Sequence, residues 1–266
     1  MKRTSNTGST GLMTVTGDSR WSGLSNLLHK ELRDWFSGIT PLWTSLIWIG
    51  MINGIMLLVL ITERKSGSEP LRLAALAVDT YSQFVAMFAS VGVVIAALDA
   101  IIAERELGTL AFTLSKPLSR ASFVLAKFVS NAIGIFVTSV LIPGIVAYIQ
   151  TWVIAGTRLP MARFGIGMVI STVGLLFYLA LCLFLSAVFR HKGPVVAISL
   201  ILIFGQQFFL SLIPQLMYVM PWSLPDLVKA YVLDSSLTSP APLIAVPFMI
   251  ALLLAATVAV FCHEDI

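Results

Sequence analysis

Residues Phe164–Phe189 read FGIGMVISTVGLLFYLALCLFLSAVF, with no charged side chain between Arg163 and Arg190. A hydrocarbon core about 30 Å thick is crossed by roughly 20 residues rising about 1.5 Å each. This stretch is long enough to cross, and it offers no polar face that would suit a surface helix in water. Working outward under the same rule, five more stretches qualify, at about 42–61, 80–102, 123–152, 194–213 and 242–261. Pro41 opens the first of them, since a proline fits the opening turn of a helix, where its missing N–H is not needed. The fifth weakens near Pro214. The expected fold is therefore an all-α membrane protein of about six spanning helices filling residues 42–266.

Composition agrees. The 266 residues are 58% hydrophobic and 11% charged, with a mean hydropathy of +0.93. An average soluble domain is about half apolar and about a quarter charged. A chain of this size cannot hide so much apolar surface from water, so its solvent is lipid. The net charge of +4 sits at the ends of apolar runs rather than along a stripe, which argues against nucleic-acid binding. Cys182 and Cys262 lie inside apolar segments and read as small buried hydrophobes. Residues 1–20, MKRTSNTGSTGLMTVTGDSR, are polar and read as a disordered cytoplasmic segment with no cleavable signal.

Lys and Arg set the orientation. With both termini in the cytosol of a cell membrane, 11 of the 17 basic residues are cytoplasmic, leaving Arg64, Lys65, Arg72, Arg158, Arg163 and Lys229 outside. Ahead of the first span, 21–36 reads WSGLSNLLHKELRDWF. Trp21, Leu24, Leu28, Leu32 and Trp35 recur at helical steps and share one face. The segment reads as an amphipathic helix in the interface plane, or alternatively as a packing helix of a small soluble unit. Residues 213–239 carry Pro214, Pro221 and Pro225. They read as short external or re-entrant helices, or as an interfacial loop.

The connection 103–121 holds AERELGTLAFTLSKPLSRA. Its first half is charged, and Leu107, Leu110 and Leu114 form a short apolar ridge at helical spacing. Such a ridge outside the membrane is suited to docking on a partner. Inside the spans, Asn53, Gln83, Asn131, Gln206 and Gln207 either bond helices together or line a path. Asp79 and Asp99 bracket the second span, so the spans read as free of buried charge, which argues against a proton-driven pump.

Glu104-Arg105-Glu106-Leu107-Gly108-Thr109-Leu110, followed by Pro117-Leu118-Ser119-Arg120 and a span headed by Lys127, resembles the ABC-2 family of ABC transporter permeases. Lys30-Glu31-Leu32-Arg33-Asp34 stands where that family has its elbow helix. Leu185-Ser186-Ala187-Val188-Phe189-Arg190 resembles the pattern ending its fourth span, and His263-Glu264-Asp265-Ile266 its short charged tail. The likeness covers roughly 21–266. Departures are Lys116, where an apolar residue is commoner, and a connection between Ile61 and Tyr81 that is longer and more charged than in minimal members.

The resemblance implies a coupling helix in the loop, with contacts to an ATPase subunit carried by Glu104 to Leu110, Leu114, Pro117 and Arg120. It implies an elbow helix that slides in the interface as the bundle rocks. It further implies a pairing with a second copy or a homologous permease, with ATP and Mg held on the separate ATPase. The implied activity is export of an amphiphilic or hydrophobic substrate. The chain itself contains no phosphate-binding Gly-x-x-x-x-Gly-Lys-Ser/Thr loop, no His-Glu-x-x-His, no Cys-x-x-Cys and no Gly-x-Ser-x-Gly, so it is expected to be no enzyme and to bind no metal. Two other readings remain. One is an ABC-like complex that drives assembly or signalling through an external protein docked on Thr62–Thr80 and Pro214–Ser239. The other is a membrane-embedded enzyme, for which no paired carboxylates or nucleophile and base are visible.

Overall fold

A computed structural model describes residues 23–106, 119–189, 191–235 and 239–263, with the backbone alone at 99–106 and 263. Among the described residues every regular element is helical. Five helices are long and apolar enough to cross a membrane: Thr40–Lys65, Pro70–Leu98, Arg120–Ala155, Met161–Val188 and Pro242–Cys262. A sixth crossing is available from Lys192–Phe204 and Gln206–Leu212 taken together, bent by 66° at Gly205. The architecture is the all-α bundle of five to six spans that the apolar runs imply.

Prolines and glycines set the helix ends. Pro41 and Pro70 stand in opening turns, and Gly156, at φ 69°, closes the third span in the left-handed region where a side chain would be strained. A β carbon at Gly205 would run into the Ile201 carbonyl oxygen, so the bend needs glycine there. The chain then turns back through the short 3-10 segments Pro214–Tyr218 and Pro221–Ser223 into a helix, Leu224–Val232. Leu224, Leu227, Val228 and Val232 bury that helix against the second and fourth spans.

The fourth span is the hub. Of its most apolar stretch 56% is buried inside the bundle, against 17% for the last span, which lies at the edge with most of its surface uncovered. Three spans carry a π-helical turn: Ile49–Asn53, Val85–Ala89 and Phe136–Leu141. In the third span the cause is local. Pro143 cannot donate to the Ser139 carbonyl, and the widened turn just before it absorbs the mismatch. Polar side chains satisfy backbone groups around these turns. Tyr81 donates to the Val140 carbonyl at 2.8 Å, Ser90 to Ala86 at 2.6 Å and Thr138 to Gly134 at 2.8 Å.

Several expectations are corrected. The second span's helix starts at Pro70 rather than near 80, so the first connection is only the four residues Ser66 to Glu69, not a long charged loop. Asp79 therefore lies well inside a helix and pairs with Lys229 at 3.2 Å. The spans are not free of buried charge, because Lys127 is 5% exposed. Cys182 is buried as expected, but Cys262 is exposed on the last helix.

Candidate functional site

The amphipathic helix forms over Leu24–Phe36, entered through Gly23 at φ 76°. Leu24, Leu28, Leu32 and Trp35 lie on its more sheltered face, together with Leu27 and Glu31. Trp21 lies outside the described residues. That face packs on the third span. Glu31 meets Lys127 at 3.0 Å, with side chains 12% and 6% exposed. One turn along, the Trp35 indole donates to Asn131 Oδ1 at 3.2 Å, and the Asn131 amide donates back to the Lys127 carbonyl. A further turn on, Gly134 leaves the space that the Trp35 ring fills, and a β carbon there would collide with it. Together these contacts clamp the helix to the third span.

Beside this clasp lies a cavity of about 870 Å³. Its rim is formed by Glu31, Asp34, Trp35, Thr40 and Thr44. Trp48 and Met51 of the first span wall one side, and Phe88, Gly92 and Ile95 of the second wall the other. Lys127, Asn131, Thr138 and Ser139 of the third span form the back, and Phe204 reaches in from the fifth. All three π turns contribute to the lining, through Met51, Phe88 and Thr138–Ser139. Such turns occur frequently at functional sites. Gly92 is needed for close approach, since a β carbon there would meet the Trp48 ring.

A second, small cavity of about 100 Å³ lies next along the second span, lined by Gln83, Phe84, Ser90, Tyr178, Gln206 and Trp222 among others. Phe84 lines the small cavity and Phe88 the large one, and their rings stack at 5.2 Å. The stacked pair thus connects the two linings. Trp222 is held by Tyr178 at 3.2 Å and the Leu202 carbonyl at 3.1 Å.

The polar residues singled out in the sequence fall into separate places. Asn131 lines the large cavity, and Gln83 and Gln206 line the small one. Gln83 also donates to Asp226 at 3.4 Å. Asn53 is buried off both cavities. Its backbone oxygen accepts from Gln150, while its own amide has no partner among the described residues. Gln207 is exposed.

The connection 103–121 is described only at its two ends. The second span's helix continues to Glu106, so Glu104, Arg105 and Glu106 extend it at the level of the backbone. Leu107, Gly108, Thr109, Leu110, Leu114 and Pro117 lie outside the described residues. The chain re-enters at Ser119, whose hydroxyl caps the third span by accepting from the Ser122 N–H at 3.0 Å. Arg120 donates to the Phe261 carbonyl at the end of the last helix, where a cation also suits the helix dipole. Phe123 meets Phe261 edge-on at 6.0 Å. The amphipathic helix, both loop ends and the end of the last helix thus share one end of the bundle. Arg163–Asp234, Asp79–Lys229 and Arg64 on the Ile154 carbonyl mark the other.

Sequence reasoning missed the clasp, yet a signal was there. Glu31 interrupts the apolar face of its helix one turn before Trp35, and a carboxylate on a face about to be covered needs a cation. Lys127, Asn131 and Gly134 supply cation, amide and gap on one face of the third span. Among the described residues no group of three or more His, Cys, Asp or Glu could hold a metal ion. Comparison with curated proteins finds no match. Comparison with protein families finds a match over residues 26–266 to a family described as ABC-2 family transporter protein.

Proposed function

This chain belongs to the ABC-2 family of transporter proteins, and from that premise we propose that it is the permease subunit of an ATP-driven exporter in the cell membrane. An ABC ATPase subunit holding ATP and Mg docks on the loop 103–121, at the cytosolic end, and the permease pairs with a second copy or a homologue. The observation that carries this reading is the position of the loop's anchors. It joins the second span, a side wall of the 870 Å³ cavity, to the third, which forms its back. A partner that moves the loop acts on those walls directly. ATP binding needs only to favour one arrangement of the ATPase pair, and the docked loop passes that bias to the bundle as a shift in population.

The test uses membranes carrying the chain together with its ATPase subunit. Glu106→Lys reverses a charge at the loop's start, and Leu110→Asp places a charge on its apolar ridge. Each is expected to cut recovery of the complex or its permease-dependent ATP hydrolysis by about tenfold, the equivalent of 1.4 kcal/mol. Unchanged assembly and unchanged hydrolysis in both variants would overturn the assignment.

A further inference from the structure

We propose that the cavity behind the amphipathic helix binds one single-chain amphiphile with a cationic head, the head at the Asp34 rim and the tail against Met51, Phe88 and Phe204. Its volume of about 870 Å³ lies in the upper part of the roughly 300–1,000 Å³ range typical of small-molecule sites. Its lining sets Asp34, Thr40 and Thr44, from the amphipathic helix and the start of the first span, against Met51, Phe88, Val91 and Phe204 further along, with the hydroxyls of Thr138 and Ser139 on the back wall; Thr138 is already bonded to the Gly134 carbonyl. From Asn131 to Ser139 the back wall rises about 12 Å at about 1.5 Å per residue, so an extended tail has a wall to follow.

Charge selects the head. Three ionisable side chains line the cavity: Glu31, Asp34 and Lys127. Lys127 and Glu31 face each other at 3.0 Å, nearly buried, and contribute no net charge to a ligand. Asp34 makes no ion pair among the described residues and is exposed at the rim. One carboxylate therefore remains for the ligand, and the Trp35 ring beside it offers a cation a second favourable surface. An anionic head would meet the surplus carboxylate, with the Lys127 ammonium already engaged by Glu31. Calling this ligand the transported cargo rests on the exporter reading, whereas the binding itself needs no ATPase.

The test places the full chain alone in nanodiscs of uncharged lipid and adds dodecyltrimethylammonium brominated near the chain end. Expected is saturable quenching of tryptophan fluorescence, displaced by unbrominated dodecyltrimethylammonium but not by dodecyl sulfate or dodecyl maltoside. Asp34→Asn weakens the cationic probe about fivefold, in line with a half-exposed ion pair, and leaves the thermal unfolding midpoint unchanged. Ala96→Phe, which fills the cavity from the second span, abolishes saturable quenching. Four results overturn the proposal: quenching that rises linearly with probe, as for partition into lipid alone; equal displacement by the anionic or neutral amphiphile; no effect of Asp34→Asn; or a brominated phosphatidylcholine that quenches and that the cation does not displace. Because no ATPase is present, any of these leaves the coupling reading standing, and failure of the loop variants leaves this one.

Discussion

Replacing Lys127 by Met tests the clasp most sharply. The ammonium lies 3.0 Å from Glu31, with side chains 6% and 12% exposed. At an effective dielectric of about 20, two charges at that distance attract by roughly 5.5 kcal/mol. Desolvation offsets much of this, but removing one partner leaves the other buried and uncompensated, which costs about 3–5 kcal/mol. Lys30 also reaches the Glu31 carboxylate, at 4.0 Å, but it is 64% exposed and relieves only a small part. The expected loss is thus near the lower bound, about 3 kcal/mol, or more than a hundredfold in the attachment equilibrium. Hydrogen exchange in mild micelles should speed up about that much across Leu24–Phe36 in Lys127→Met. The double variant Glu31→Leu with Lys127→Met should exchange nearly as the parent does, since apolar residues can replace a buried pair without loss. Wild-type exchange in the single variant, or a double variant as labile as the single, would refute the reasoning.

Three further perturbations have defined outcomes. Tyr81→Phe leaves the Val140 carbonyl in the π turn without its 2.8 Å donor, and should lower stability by about 1–2 kcal/mol in thermal unfolding. Gly134→Ala drives a β carbon into the Trp35 ring; a loss of about 1–3 kcal/mol and an altered indole emission are expected, while Gly165→Ala, which meets open space, should be neutral or slightly stabilising. Asp226, at the end opposite the clasp, has its carboxyl held above the ordinary range by desolvation and by the nearby Asp79, with Lys229 opposing. The folded state therefore holds that proton more tightly than the unfolded one, so the group favours folding increasingly as pH falls through its raised value toward the ordinary one, about 3.9, and disfavours it when ionised at neutral pH. Asp226→Asn should raise the unfolding midpoint at pH 7 and flatten its rise on acidification, read by thermal melts across pH 4–7.

The spans were legible because lipid imposes one rule, enough consecutive apolar residues, and Phe164–Phe189 or Pro242–Phe261 satisfy it without help. The rule failed where a charge served as a boundary. Asp79 ends an apolar run in the sequence, yet Lys229 pairs with it and the helix continues back to Pro70. Lys127 reads as a membrane edge, yet Glu31 arrives from nearly a hundred residues earlier to cover it. The bend at Gly205 was hidden for another reason. It depends on a missing β carbon beside the Ile201 carbonyl, which no periodicity signals. The cavity was invisible altogether, since its lining comes from five separate segments with no shared spacing.

Both boundary errors have one physical cause, and it bears on how the bundle can move. In lipid a charge is placed by its partner as much as by its distance from water, so each misread charge marks a joint between elements. The Glu31–Lys127 pair fixes the amphipathic helix to the third span, and Arg120 on the Phe261 carbonyl fixes the third span to the last. The amphipathic helix, the third span and the last helix are thus joined by polar contacts at one end of the bundle. The second span is held instead by the fourth and by the Leu224–Val232 helix through Asp79–Lys229 and Gln83–Asp226. The last helix also packs on the fourth span, so the two sets meet there as well, and the proposed coupling loop is the covalent link between the second and third spans. Under the proposed mechanism, a pull on that loop changes the separation of the cavity walls, and the close approach of Gly92 on the second span to the Trp48 ring on the first is a contact such a change disturbs.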